Sequence, residues 1–342
     1  MKVITFFPLY SSIHRYKDVF FAGLYISRVN KIDDYMIAGI DPILTDISLP
    51  HNGFLPRSFL FVKLLPLLEK GDRVILFHLT YISLLQGVLG RFFSVILNRK
   101  NVFYLKGDFS SKGMNSSMLT RLQFWIAGKI FHNIICELPA HKIYMSEMIQ
   151  VSKVETLPNF PLDWKLFSNV CSTENRVREI LVVARHGVEQ KNSYETLGVL
   201  SQVVSILPGW KVVFLGPITE DFKSTLFASD LYNCNIFYEP PITCRKEYSQ
   251  RLSKSMVGVF LSLWEGGAPL SASELALSGN LVVGVERLIF PLDYEKLNFP
   301  FRCVSESATV NEIVDILRYV DSNQDLVIQS SCQYKEYIAG FT

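Results

Sequence analysis

The chain has 342 residues, of which 49% are hydrophobic, 13% aromatic and 19% charged. This is the composition of folded domains, and it excludes a disordered or low-complexity protein. The length exceeds one ordinary core and suits two domains. Formal net charge is only +2, without the dense Lys/Arg stripe of a nucleic-acid binder.

That net charge conceals an asymmetry. Residues 1–160 carry 18 Lys and Arg against 11 Asp and Glu, a charge of +7, while the remainder carries 16 against 21, a charge of −5. A basic, apolar first half and an acidic second half suggest different partners, with meaningless surface charge as the alternative. Mean hydropathy of +0.22 is high for a soluble chain and hints at membrane contact. The longest uncharged run, Val74 to Gly90, is 17 residues long and includes His78, Tyr81, Ser83 and Gln86. It reads as a buried strand followed by a helix rather than as a membrane span. The N-terminal MKVITFFPLYSS reads as a first strand and not as a signal peptide. Six cysteines (136, 171, 234, 244, 303, 332) form no C-x-x-C pair, which argues against zinc or a disulfide framework and fits a reducing cytoplasm.

Taken in chain order, the first half alternates strand and helix. KVITFFP is a predicted strand, Lys17 to Val29 a helix, DYMIAGI a second strand, and DRVILFH a third that leads into a helix from Ile82 to Leu97. KNVFYLKG is a fourth strand, Met118 to Phe131 a helix, NIICEL a fifth strand, Ala140 to Gln150 a helix, and VETLPNF a short final segment. Such alternation points to a parallel sheet covered on both faces. Pro158 to Arg176 turns to proline and polar residues and reads as an interdomain linker. A second alternation follows. Strand REILVVAR precedes helix Tyr194 to Leu207, strand KVVFLG, helix Asp221 to Ser229, strand NIFYEP and helix Lys246 to Ser255. Strand MVGVFLSL, helix Leu270 to Ser278, strand LVVGV and a helix carrying Val310, Ile313, Val314 and Leu317 complete it. The expected fold is α/β, with two doubly wound Rossmann-like domains facing across a cleft. The divisions are an N-terminal domain over 1–160, a linker over 161–178, a C-terminal domain over 179–324, and a helix over 325–342 that packs back toward the N-terminal domain.

In such sheets ligands bind beyond the carboxyl ends of the strands. In VVARHGVEQKN, Arg185 ends an aliphatic strand and Lys191 precedes a helix, a placement that would clamp a diphosphate; two solvated loop charges are the alternative. In FLGPITEDF, Gly216 permits close backbone approach or simply makes the turn. The most specific stretch is SLWEGGAPLSASELALSGN, residues 262–280. There Glu265 ends a strand, Gly266 and Gly267 free backbone N–H groups to face an anion, and Glu274 lies in a helix opened by Leu270 and Ser271. Ser271 reads equally as an N-cap, and Glu274 as a first-turn carboxylate favoured by the helix N-terminus. As a ligand group, Glu274 would accept from vicinal hydroxyls of a ribose and Glu265 from a sugar. No metal-ligand cluster, paired carboxylates or Ser-His-Asp arrangement is evident.

These segments resemble the donor-binding domain of GT-B glycosyltransferases, especially the large retaining group called family 4. The resemblance rests on AR with Lys191 in the first loop and on FLSLWEGGAPLSASELALSGNLVVGV with its EG, second Glu and small-residue helix. VETLPNF and VFYLKGDFS resemble the segments before the domain crossover and at a strand end of the first domain. The resemblance implies that Glu274 binds nucleotide ribose, that Arg185 and Lys191 bind the diphosphate, and that Glu265, Gly266, Gly267, Ala268, Leu270 and Ser271, with Gly216, line the donor. Three departures stand out: eight residues separate Glu265 from Glu274 where the family has seven, Lys106 stands where the family has a histidine, and FFPLYSSIHRYKD lacks the glycine-rich first loop. Acceptor contacts are assigned to His14, Arg15, Lys106 and Asp108, with Tyr16 a further candidate.

The implied function is transfer of a sugar from a UDP- or GDP-linked donor to a glycan or lipid-linked acceptor. Retention, metal independence without any cofactor, and a role in cell-surface polysaccharide or lipopolysaccharide synthesis belong to the same implication. Rivals are a nucleotide-sugar 2-epimerase and a non-catalytic sugar-nucleotide-binding protein. FLPRSFLFVKLLPLLEKGDR and GRFFSVILNRK interleave apolar residues with cations, so a peripheral position on the inner face of the plasma membrane is expected, ordinary core helices with basic ends being the alternative.

Overall fold

The computed structural model describes residues 1–7, 25–39, 45–49, 60–78, 80–107, 118–147, 149, 153–169, 176–265, 267–307 and 309–341. The chain divides into two compact units, Met1–Leu162 with Phe341–Thr342, and Asp163–Gly340.

The first unit is built on a parallel seven-stranded sheet in the order β3-β2-β1-β4-β5-β6-β7. Its strands are β1 (Val3–Phe6), β2 (Tyr35–Gly39), β3 (Ile47–Ser48), β4 (Arg73–Phe77), β5 (Val102–Gly107), β6 (Asn133–Cys136) and β7 (Val154–Thr156). Branched and aromatic runs such as VITF and RVILF form strands buried on both faces, as a helix-covered parallel sheet requires. Its helices include α1 (Leu60–Leu64), α2 (Tyr81–Ile96), α3 (Met118–Ile130) and α4 (Pro139–Ser146). Thr80 caps α2 by accepting from the Ser83 N–H, while the Ser83 hydroxyl accepts from the Thr80 N–H. The predicted helix from Lys17 to Val29 falls partly outside the described residues; 25–29 is helical. Sequence reading missed β3; α1, with Leu60, Phe61 and Leu64 buried and Lys63 in its last turn, is the core helix offered as the alternative for its segment.

The second unit carries a parallel six-stranded sheet in the order β10-β9-β8-β11-β12-β13. These strands are β8 (Val177–Val183), β9 (Lys211–Leu215), β10 (Ile236–Glu239), β11 (Ser255–Phe260), β12 (Leu281–Val285) and β13 (Phe301–Val304). Between them run α5 (Trp164–Ser168), ahead of β8, then α6 (Ser193–Ile206), α7 (Glu220–Phe227), α8 (Arg245–Leu252), α9 (Leu270–Leu277), α10 (Phe290–Glu295), α11 (Thr309–Ser322) and α12 (Gln324–Ala339). Sequence reading missed α5, β13 and α10. The span read as a linker thus contains a helix, and α12 packs within the second unit: the Tyr334 hydroxyl lies 2.8 Å from the Ser273 hydroxyl and its ring 5.6 Å from Phe301.

In both sheets the chain winds outward from the first strand one way, returns, and winds the other way. The reversal points lie between β1 and β4 and between β8 and β11. At such a switch point the two flanking loops diverge to opposite faces and leave a crevice at the carboxyl ends of the strands.

Candidate functional site

The segments that follow β8 and β11 meet at the switch point of the second sheet. Val183 ends β8, and the chain continues in register beside the segment after β9. His186 N–H donates to the Pro217 carbonyl at 2.7 Å, and Thr219 N–H donates to the His186 carbonyl at 3.0 Å. Glu189–Lys191 forms a single 3-10 turn, and Asn192 adopts a left-handed conformation (φ 50°) before α6 begins. This compact turn brings Lys191 against the segment that follows β11. Its ammonium donates to Glu265 Oε1 at 2.5 Å. Gln190 Nε2 donates to the Trp264 carbonyl at 3.2 Å and to Glu265 Oε2 at 3.3 Å, and Leu263 N–H donates to the Gln190 carbonyl at 2.9 Å. Arg287 holds the same strand end from the other side, donating to the carbonyls of Leu261 and Ser262 at 3.0 Å each.

The two sequence segments singled out for a diphosphate and a sugar are therefore physically joined, through Lys191 and Glu265. The strand ends at Phe260, so Glu265 lies five residues beyond it rather than at its end as expected; it is buried there, with partners on both oxygens that compensate its burial. Arg185 is exposed, and among the described residues its side chain makes no hydrogen bond or ion pair. His186 beside it is buried, stacked on Phe222 and edge-on to Phe214, with Nε2 3.2 Å from the Leu215 carbonyl. Burial pushes its pKa down to about 4, with the Leu215 carbonyl opposing, so the ring is neutral near pH 7.

Gly216 has φ 135°, and a Cβ there would lie 2.2 Å from the Ala184 carbonyl oxygen. The glycine is required by the approach of the β9 end to the β8 end, whatever else it contacts. Gly266 lies outside the described residues; Gly267 and Ala268 are buried, and Leu270 and Ser271 are half-buried at the start of α9.

The structure corrects two local readings of α9. Pro269, not Ser271, is its N-cap, and no side chain caps it, so the first-turn N–H groups have no side-chain acceptor. The first turn holds no acidic residue, and Glu274 lies one turn further in. Attraction to the helix terminus is thus not what places Glu274. Its carboxylate is buried and held from α8: Arg245 Nη1 donates to Oε1 at 2.7 Å, and the Tyr248 O–H donates to Oε2 at 3.1 Å. Arg245 also makes a two-point contact with Asp163, at 3.0 and 2.7 Å, with its guanidinium 4.7 Å from the centre of the Phe167 ring. Burial raises the pKa of Glu274, with Arg245 as the main opposing influence. Burial works against the Arg245 charge, but Asp163 and Glu274 outweigh it and hold that pKa above the ordinary guanidinium value. Burial, then the Glu274 charge, raises the Tyr248 phenol well above its usual value, so it stays a donor.

Sequence reasoning missed Arg245, Tyr248, Asp163, Gln190 and Arg287. One signal was available: Arg245 opens a helix, where a cation opposes the helix dipole, so it needs a carboxylate from elsewhere.

Of the acceptor assignments, His14, Arg15 and Asp108, like Tyr16, lie outside the described residues. Lys106 is the next-to-last residue of β5, fully buried, and its ammonium donates to Glu137 just beyond β6 at 2.7 Å. Among the described residues no cluster of three or more His, Cys, Asp or Glu could hold a metal ion, and no helix is long and apolar enough to cross a membrane.

No family model and no curated protein sequence matches this chain. Solved structures do. TarM matches with a TM-score of 0.60 at 16% identity, over 83% of this chain and 55% of its own, so the chain spans about half of TarM. Trehalose-6-phosphate from E. coli bound with UDP-2-fluoro glucose matches at 0.67 and 11% identity, over 100% of this chain and 96% of the other. Anabaena Alr3699/HepE in complex with UDP and glucose matches at 0.65 and 10% identity, over 99% and 95%. The two parallel sheets and these likenesses define the fold as GT-B, the α/β architecture expected from the sequence.

Proposed function

We propose that this chain is a metal-independent glycosyltransferase that takes a nucleotide sugar, UDP-linked by preference, and transfers the sugar with retention to a glycan or lipid-linked acceptor. The observation that carries the reading is the Lys191–Glu265 pair, which joins a cationic loop to a carboxylate at the switch point of the second sheet. Arg185, exposed at the end of β8, and Lys191 meet the charge that develops on the leaving diphosphate. The uncapped N-terminus of α9 adds backbone donors. Glu265 orients Lys191 and accepts from a hydroxyl of the donor sugar. A carboxylate offers about four acceptor sites, and the described partners of Glu274 use two, which leaves capacity for the ribose hydroxyls assigned to it.

In the reaction the anomeric carbon–phosphate oxygen bond breaks and the acceptor oxygen bonds to the same carbon from the same face. The acceptor proton passes to the departing phosphate oxygen. The protein supplies no covalent intermediate; it supplies positive charge and orientation. UDP complexes among the structural neighbours favour the uridine donor, and a trehalose-6-phosphate synthase studied for glycosyl transfer with retention favours that stereochemistry. A family 4-like enzyme of cell-surface polysaccharide or lipopolysaccharide assembly, working at the cytoplasmic side, is the setting we infer. One fold hosts many functions, so likeness to TarM, the E. coli trehalose-6-phosphate protein and HepE does not itself select the acceptor.

The test is release of UDP or GDP from a panel of UDP- and GDP-sugars, with and without glycan or lipid-linked acceptors, and anomeric analysis of the product. Acceptor-dependent release with a retained anomer supports the proposal. Turnover without acceptor would identify an epimerase-type enzyme instead, and binding without turnover a recognition module.

A further inference from the structure

The first unit carries an apolar face that its own core does not use. Helix α2 buries Leu84, Gly87, Gly90 and Ser94, and small residues there are required by close packing: a Cβ on Gly87 would lie 2.6 Å from Ile130, and one on Gly90 would lie 2.5 Å from Phe103. The opposite side presents Tyr81, Leu85, Val88, Phe92, Val95 and Ile96, all exposed, with Val95 at 78%. At 3.6 residues per turn these six fall within an arc of about 100°, along about 22 Å of helix. Helix α3 repeats the pattern with Met118, Leu122 and Trp125 exposed at spacings of four and three, followed by Lys129 one turn on. Right-handed crossovers from β4 to β5 and from β5 to β6 put both helices on one face of the sheet. Arg91 locks them side by side by donating to the Lys129 carbonyl at 2.6 Å and to that of Ile130 at 3.2 Å. An ordinary surface helix is polar on this side, and a continuous apolar surface of this kind marks an interaction site.

Charge selects the occupant. From Arg73 to Cys136 the sequence holds eight Lys and Arg and one carboxylate, Asp108; α2 and α3 contain none. Arg91, Lys100, Arg121 and Lys129 are exposed around the apolar stripe, and Lys129 lies 5.6 Å from the centre of the Trp125 ring. Apolar side chains flanked by cations, with a tryptophan at the margin, fit the headgroup and upper acyl region of an anionic bilayer. A second copy of this chain, joined about a twofold axis, would set the same cations against each other and is disfavoured. Of the two segments expected to reach a membrane, the described part of FLPRSFLFVKLLPLLEKGDR spends Leu60, Phe61, Leu64, Leu65 and Leu68 in the core, whereas GRFFSVILNRK continues the α2 stripe. We propose that the outward faces of α2 and α3 form a docking surface for an anionic lipid bilayer. The proposal stands or falls independently of the transfer reaction.

The experiment is co-sedimentation of the full chain with phosphatidylcholine vesicles, with and without phosphatidylglycerol, at low and high salt. Acyl-chain-brominated lipid reports quenching of Trp125. Expected are binding that needs phosphatidylglycerol and weakens with salt, quenching that is lost in Trp125→Phe, and about tenfold weaker partition for Val95→Glu. Leu85→Ser, also at an exposed position, is the second variant and is expected to weaken partition in the same direction. No binding, or binding indifferent to these substitutions, overturns the proposal. A lipid-free dimer in light scattering that Val95→Glu dissolves would assign the face to a second copy and likewise overturn it.

Discussion

Replacing Arg245 by Met tests whether the carboxylate of Glu274 depends on the α8 cation. The substitution keeps an unbranched apolar side chain but removes two bonds to Asp163, one to Glu274 and the guanidinium over the Phe167 ring. Removing one member of a buried ion pair costs about 3–5 kcal/mol because the other charge stays behind. The Glu274 side chain is 4% exposed and that of Arg245 27%, so solvent absorbs a part, and about 2–4 kcal/mol is the expected loss. For a domain of this size that lowers the melting temperature by about 5–15 °C. The assay is thermal and urea unfolding of Arg245→Met, Glu274→Leu and the double variant. The pair should couple, so the double variant loses about 1–3 kcal/mol less than the two single losses together. Additivity within about 0.5 kcal/mol would refute the idea that the two side chains form one unit.

Gly216→Ala should lower stability by about 3 kcal/mol, because its Cβ meets the Ala184 carbonyl oxygen, whereas Gly198→Ala, with open space in the middle of α6, should raise it by about 0.5–1 kcal/mol; chemical denaturation compares them. His186 gives a pH prediction. Its pKa is about 4 when folded against 6.5 when free, so the unfolded chain binds the proton first; this stability contribution is complete above pH 6.5 and is lost as pH falls toward 4. A ring titrating alone would contribute about 3 kcal/mol, and His186→Gln should flatten the profile in that window; parallel profiles would contradict the assignment. Lys191→Ala should lower turnover by about 10²–10³-fold, and EDTA should leave the wild-type rate unchanged, both read by UDP release.

The fold was largely legible because a parallel sheet is buried on both faces, so its strands stand out as short apolar runs between helical periods. The elements that escaped are those whose own sequence is weak. Phe301–Val304 carries an arginine behind Pro300, and Trp164–Ser168 is a single turn inside a proline-rich stretch. In the candidate site, strand-end chemistry singled out Arg185, Lys191 and Glu265, since loops at the carboxyl ends are where α/β sheets bind ligands, and the structure brings Lys191 and Glu265 together. The grip on Glu274 was not visible: its partners lie 29 and 26 residues upstream, and Asp163 a further 82 before Arg245, so only three-dimensional packing joins them. Membrane contact through GRFFSVILNRK was expected from the sequence, but which side of α2 the core leaves over is told only by burial.

The central claim is that the switch point of the second sheet binds a pyrophosphate through Arg185 and Lys191. Equilibrium binding of UDP and of uridine to wild type, Arg185→Ala and Lys191→Ala tests it most directly. Each charge-assisted contact is worth about 1.5–3 kcal/mol, so wild type should prefer UDP by more than tenfold, and each variant should erase about ten- to a hundredfold of that preference. Equal affinity for uridine and UDP, or a preference for UDP that survives both substitutions, would contradict the account.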